Sequence, residues 1–125
     1  MPLPVAVVTF AGELSISRYP DIHASFEACP KDARRVLVDL TDVRYVDSTF
    51  LTELLLFSKH LGDLGASCVI AAGPAITKIL GVTRIDLRMR VFPTVDAAMK
   101  HLGHIIPVES SEREPNGAGS QVPAE

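Results

Sequence analysis

The segment Arg35 to Leu40, RVLVDL, is the feature that most constrains the fold of this chain. Its apolar, largely β-branched residues are typical of a strand buried on both faces. Such strands belong to parallel sheets covered by helices, and two parallel strands need a connection long enough to contain a helix. The interval between this segment and the apolar run at Val5 is long enough. We therefore predict an α/β fold that contains a βαβ unit.

Further short apolar segments are predicted to complete the sheet. Val5 to Phe10 is followed by Ala11-Gly12 and a second short segment at Glu13 to Ser15, a pattern that favours a hairpin at one sheet edge. Cys68 to Ala72 and Val91-Phe92 read as later strands. The hairpin would make the sheet mixed but mainly parallel, with four to five strands.

About four helices are expected between and after these strands. Helix starts are indicated by Pro or by a Ser, Thr or Asp cap, and helix ends by Gly. The predicted helices are Pro20 to Ala28, a long helix from the Asp-Ser-Thr join at residue 47 to Gly62 or Gly65, a helix from Gly73-Pro74 to Gly81, and a last helix capped by Thr94.

Composition limits the number of domains and the classes of partner. With 125 residues and 47% hydrophobic residues, the chain can bury one core, which we place in residues 1–104. Residues 105–125 are rich in Pro, Gly, Ser and Glu, so we expect a disordered tail. The formal net charge of -3 argues against nucleic-acid binding. The sequence shows no signal peptide or membrane-spanning run, so we expect a cytoplasmic protein without membrane insertion.

Cysteine and histidine positions do not predict a metal or cofactor site. Cys29 and Cys68 match no metal or redox spacing and read as small buried apolar residues, although a disulfide between them stays open. His101 and His104 lie three residues apart, but no carboxylate or cysteine at a suitable spacing completes a ligand set. We expect no cofactor.

The most informative polar residues stand at the start of the long helix, in YVDSTFLTELLL. The first N–H groups of a helix lack intrahelical partners, so an Asp, Ser or Thr side chain there can cap it, and we expect the Ser48 hydroxyl to do so. The same end of a helix favours an anion. A phosphoserine at this position would add nearly two negative charges beside Asp47. Two interpretations of the hydroxyl therefore stay open: it only caps the helix, or it is also a site of regulation by phosphorylation.

Helical periodicity divides the long helix into an apolar and a polar arc. The apolar arc is expected to face the sheet and contains Phe50, Leu51, Leu54, Leu55, Phe57, Ser58, Leu61 and Leu64. The opposite arc carries Thr49, Thr52 and Glu53, and Leu56 is the single apolar residue on it. An isolated exposed leucine is ordinary on a protein surface, and the alternative is a partner contact.

The order of these motifs resembles the STAS family of anti-sigma factor antagonists and their relatives. The resemblance extends from about Val5 to Leu102, and its most specific elements are Gly12-Glu13-Leu14 and the Asp-Ser-Thr join after VDLTDVRYV. It implies a small sheet backed by helices and a site hydroxyl at Ser48. In the bacterial regulators of this family, a serine kinase that also sequesters a sigma factor phosphorylates the corresponding serine. The unphosphorylated antagonist binds the kinase and frees the sigma factor.

Two residues depart from the family pattern. Ser15 stands where the family commonly has an acidic residue after Gly-Glu-Leu/Ile, and Phe50 stands where the family commonly has Gly. An outward-pointing Phe50 would reshape the docking surface around Ser48.

Three functions are compared. The first is a regulator that docks a kinase-type anti-sigma factor, a histidine-kinase-like ATPase, and is switched by phosphorylation of Ser48. Its partner surface would comprise Asp47, Ser48, Thr49, Thr52, Glu53, Leu56 and Ser15. The second is a constitutive structural subunit, like the STAS partners of lipid-transport ATPases. The third, an enzyme built around Ser48, is disfavoured because no neighbouring residue in the sequence would activate the hydroxyl. The oligomeric state is left open.

Overall fold

Four parallel strands form the sheet in a computed structural model that describes residues 5–103, and the strands lie side by side in their sequence order. Two short 3-10 turns, Ile16–Arg18 and Ile85–Leu87, accompany the longer elements. The predicted tail 105–125 and His104 lie outside the described residues. The elements are β1 Ala6–Leu14, α1 Tyr19–Glu27, β2 Arg35–Val46, α2 Ser48–Asp63, β3 Ser67–Ala72, α3 Pro74–Val82, β4 Arg90–Phe92 and α4 Val95–Gly103.

The predicted α/β class, with four strands and four helices, is confirmed. Within residues 5–103, no helix is both long enough and apolar enough to cross a bilayer. The stop after α2 follows the expected rule, because Gly65 adopts a left-handed backbone with φ of 76° just beyond the helix end. The last helix is capped as expected, since the Thr94 Oγ1 accepts a hydrogen bond from the Ala97 N–H at 3.1 Å.

The predicted N-terminal hairpin is wrong. Residues 6–14 form one strand that pairs in parallel with β2 from Ala6 opposite Val36 to Leu14 opposite Val46. Gly12, at φ of 79°, bends this strand between register shifts and does not reverse the chain. The reason is that β2 continues well past Leu40, so both halves of β1 find a partner on it. All three pairings in the described sheet are parallel, and the antiparallel part of the expected mixed sheet is absent from it.

The two faces of the sheet carry separate apolar cores. Alternate residues Val36, Val38 and Leu40 of β2 belong to the larger core, to which α1, α2 and α3 contribute. Leu37 belongs instead to a smaller core with residues of β3 and α4. This alternation confirms that the first half of β2, residues 35–40, is buried on both faces and explains the consecutive apolar residues from Val36 to Val38.

An aromatic cluster fills the larger core beneath the start of α2. The Phe50 ring lies 5.3 Å from the Phe10 ring in an edge-to-face arrangement and 6.1 Å from the Phe26 ring, measured between centroids. Phe26 also contacts Phe57, with ring centroids 4.6 Å apart. Phe50 is fully buried, at 0% exposure. It therefore anchors α2 in the core and does not reshape the surface around Ser48.

Both cysteines are free thiols: Cys29 is buried in the larger core, and the half-buried Cys68 packs against that core. Burial raises the pKa of the Cys68 thiol to about 12, with a smaller contribution from the neighbouring Cys29 thiol. Burial also raises the pKa of the Cys29 thiol, and the nearby Lys31 opposes that shift. Both thiols therefore stay protonated at neutral pH and act as small apolar groups, as the sequence indicated.

Replacing Phe50 by Ala should lower the free energy of unfolding by about 3–5 kcal/mol, because the change leaves a cavity among the packed aromatic rings. The measurement is equilibrium urea denaturation. Leu56→Ala is the matched control on the same helix, and its cost should stay below about 1 kcal/mol because Leu56 is 58% exposed. Equal losses for the two variants would contradict the assignment of Phe50 to the core.

Alkaline pH should destabilise the fold partly through Cys68. An unfolded chain ionises this thiol near its ordinary pKa of 9.0, whereas the folded chain keeps it protonated up to about 12. Stability is therefore fully present below about pH 9 and is lost as pH rises from there, by at most about 1.4 kcal/mol per pH unit. Cys68→Val should lose less stability over that range in urea titrations. An identical loss in the valine variant would contradict this account.

Candidate functional site

The join between β2 and α2 lies at the carboxyl ends of β1 and β2. The last residues of the two strands, Leu14 and Val46, are opposite each other in the register. Asp47, the residue that follows β2, donates its backbone N–H to the Leu14 carbonyl oxygen at 3.2 Å. Parallel pairing therefore brings Ser15, which follows β1, close to the start of α2. The Gly-Glu-Leu segment and the Asp-Ser-Thr join, 33 positions apart from Leu14 to Asp47, become neighbours.

The Asp47 carboxylate is the polar centre of this join. Its Oδ1 accepts hydrogen bonds from the backbone N–H of Thr49 at 3.0 Å and of Phe50 at 3.2 Å. Its Oδ2 accepts one from the N–H of Ile16 at 2.7 Å. One side chain thus caps α2 and also holds the turn that follows β1. Hydrogen bonds to a charged acceptor are stronger than those between neutral groups, so this bridge fixes both segments.

The expectation that the Ser48 hydroxyl caps the helix is wrong. Asp47 has the extended backbone of an N-cap residue, and Ser48 is already the first residue of α2. An N-cap residue precedes the helical backbone, and its side chain accepts from N–H groups two and three positions later, so Asp47 takes this role. Ser48 is exposed, and its hydroxyl has no hydrogen-bond partner among residues 5–103. The serine side chain is therefore accessible at the leading end of α2.

Residues after β1 form the other side of the site. The Ser15 and Ser17 hydroxyls are hydrogen-bonded to each other, with their oxygens 2.8 Å apart. Ser15 is half-buried, and Ser17 is exposed. A pair of neutral hydroxyls thus occupies the position where the resemblance places an acidic residue. Negative charge at this end of α2 is therefore concentrated on Asp47.

Arg18 was not recognised from the sequence. Its guanidinium group donates hydrogen bonds to the carbonyl oxygens of Ala11 at 3.0 Å and Glu13 at 3.3 Å, across the bend at Gly12. A bend removes carbonyl groups from regular pairing, and those groups need another donor. The signal available in the sequence was a lone basic residue a few positions after a Gly-containing strand. Arg18 holds the segment that carries Ser15 in place.

The remaining predicted contact residues extend along α2 on its outer side. Thr52 is exposed, Thr49 is half-buried, and Leu56 is 58% exposed. Glu53 differs from the expectation, because its side chain is only 16% exposed and turns toward α1. There its carboxylate lies 3.2 Å from the His23 Nδ1. The outer side of α2 therefore leads from Ser48 into the space between α1 and α2.

Metal binding and thiol chemistry find little support among the described residues. No group of three or more His, Cys, Asp or Glu side chains within residues 5–103 could hold a metal ion. Both cysteine thiols have raised pKa values, so neither is poised as a thiolate nucleophile.

Sequence comparison places this arrangement in a known family. A family model of the STAS domain matches residues 3–98. The chain belongs to the STAS domain family. A STAS-domain containing protein of Pseudomonas aeruginosa (strain UCBPP-PA14) is 27% identical over 85 residues, which is 67% of this chain and 84% of that protein.

Solved structures of similar fold come from two kinds of STAS protein. An anti-sigma factor antagonist of Mycobacterium paratuberculosis is 25% identical, with a TM-score of 0.71 over 78% of this chain and 85% of that one. A sulfate transporter family protein of Wolinella succinogenes is 15% identical, with a TM-score of 0.71 over 81% of this chain and 86% of that one. The second likeness concerns the fold alone.

Asp47→Ala should lower the free energy of unfolding of this STAS domain by about 2 kcal/mol, since it removes the cap of α2 and the bond to Ile16. Ser48→Ala is the matched control one residue away and should change stability by less than about 0.5 kcal/mol. Asp47→Asn should fall between them, because an amide oxygen still caps a helix but carries no charge. Chemical denaturation measures all three. A larger loss for Ser48→Ala than for Asp47→Ala would contradict the assigned cap.

Proposed function

We propose that this STAS domain is a regulator of the anti-sigma factor antagonist type. In this proposal it docks a serine kinase that also acts as an anti-sigma factor, a histidine-kinase-like ATPase, and phosphorylation of Ser48 ends the docking. The observation that carries the proposal is the exposed Ser48 hydroxyl at the leading end of α2, on a backbone held by Asp47. The likeness to the Mycobacterium paratuberculosis antagonist, at 25% identity, supports the same function.

A phosphate on Ser48 would leave the fold intact but would weaken the binding of a partner. The positive end of the α2 dipole favours an anion there. The N–H groups of Thr49 and Phe50 already donate to Asp47, so they would not draw the phosphate inward. The added charge, close to two units, would therefore project from the surface next to the charge of Asp47. A partner that fits the neutral serine would meet both repulsion and the cost of desolvating a dianion.

The proposed docking surface comprises the accessible residues around this end of α2 and along its outer side. Exposed Thr52 and Leu56 would extend the contact beyond Ser48, and Ser15 would form its other edge. Glu53 would take part only through the 16% of its side chain that is exposed, because its carboxylate turns toward His23.

Binding, and not catalysis by this chain, is the proposed activity. An activated serine needs a base within hydrogen-bond reach, and the Ser48 hydroxyl has no such partner among the described residues. In the proposed reaction the kinase supplies the catalytic groups and ATP. Ser48 only receives the phosphoryl group on its Oγ.

The direct test uses a serine-kinase anti-sigma factor from the same organism. We expect intact-mass and peptide mass spectrometry to find one phosphate on Ser48 after incubation with the kinase and ATP. Ser48→Ala should remain unmodified and should still bind the kinase. Ser48→Asp should bind at least about tenfold more weakly, a difference of about 1.4 kcal/mol, in calorimetric titration.

Ser25→Ala on α1 is the control, because it removes a hydroxyl away from the proposed surface and should change neither readout. Phosphate on another residue, with Ser48 unmodified, would refute the switch. Equal binding by native protein, Ser48→Ala and Ser48→Asp would also refute it and would favour a constitutive docking subunit. No binding by the native protein to any kinase of this class would refute the partner.

A further inference from the structure

A groove with an apolar floor lies between α1 and α2, on the side of the domain next to the proposed docking surface. Its volume is about 420 Å³. The floor is formed by side chains of the larger core, among them Phe26, Phe57 and Leu61. The groove is thus a surface opening onto the core.

Large apolar side chains are exposed around this groove. Leu56 is 58% exposed, Leu64 is 41% exposed and Tyr19 is 39% exposed, and all three line it. A protruding leucine therefore stands directly beside a hollow with an apolar floor. Clusters of this kind mark places where another molecule covers the surface.

Charges of both signs surround the same groove. On the α1 side, Glu27 lies 3.7 Å from Lys31, and both side chains are more than half exposed. Such an exposed pair contributes little to the stability of one chain. Glu53 on α2 adds a second acidic side chain, and His23 on α1 adds a second basic one. The rim therefore carries both acidic and basic side chains. A second copy of the same surface would present the opposite charge to each of them.

We propose that this groove is the interface of a symmetric dimer, occupied by a second copy of the chain. A two-fold axis requires one surface to be complementary to itself. Here the protrusion and the hollow lie on one face, so Leu56 of each copy can enter the groove of the other. Lys31 and Glu27 can pair reciprocally across the same axis. Ser48 does not line the groove, but Leu56 and Glu53 belong both to the groove and to the proposed docking surface, so a dimer would compete with kinase docking for these two residues.

Sedimentation equilibrium of the full chain tests the dimer. We expect the native protein to approach twice the chain mass of 13.5 kDa as its concentration rises toward the millimolar range. Leu56→Glu should weaken the association on the order of a hundredfold, because a dimer loses two leucines and gains two buried charges. Circular dichroism should show an unchanged helix content, as expected for an exposed position.

Leu87→Glu is the matched control, since Leu87 is 75% exposed but does not line the groove. It should associate like the native protein. A native protein that stays at the mass of one chain at all concentrations would overturn the proposal. So would an association that Leu56→Glu leaves unchanged, or that both glutamate variants weaken equally.

Charge exchange gives an independent readout of the reciprocal pairing. Glu27→Lys and Lys31→Glu should each associate more weakly than the native protein, because like charges then face each other across the axis. Mixing the two variants, one of them uniformly 15N-labelled, should restore association between unlike chains, which native mass spectrometry then resolves by mass. No gain on mixing would contradict the assigned pairing.

Discussion

The Asp47 carboxylate is the interaction on which the arrangement of this domain most depends. It caps α2 through Thr49 and Phe50, and it holds the turn after β1 through Ile16. Helix, strand end and turn are thereby joined at one charged group. Because three N–H groups share the charge, the carboxylate is fully used within the fold. The bridge places a long apolar helix in a defined position at the edge where two parallel strands end.

Because Asp47 caps α2, the structural role and the accessible hydroxyl belong to two adjacent residues, Asp47 and Ser48. Since the cap is supplied by the residue before the helix, the Ser48 hydroxyl is not needed to satisfy the helix end and points to solvent. Phe50, two residues later, is fully buried among aromatic rings. One turn of α2 therefore combines a fixed cap, an accessible hydroxyl and a core anchor. A modification on the hydroxyl can change the surface without disturbing the packing that holds the helix.

Packing of α1 against α2 determines the shape of the adjacent surface. Phe26 and Phe57 meet in the core, and Glu53 turns toward His23 instead of solvent. A groove remains between the two helices, and Leu56 is exposed at its side. The same outer side of α2 thus connects the Ser48 end with the groove. Two association surfaces on one helix would be close enough to influence each other.

The sequence by itself determined the features that depend on local pattern: the doubly buried strand at Arg35 to Leu40, the apolar arc of α2, the glycine stop at Gly65 and the Asp-Ser-Thr helix start. Tertiary structure alone decided that residues 6–14 form one strand, because its partner on β2 is about thirty residues away and extends beyond the predicted end. It also decided that Asp47 is the cap and that Glu53 faces α1. Those outcomes depend on which distant groups come within hydrogen-bond reach, and periodicity carries no such information.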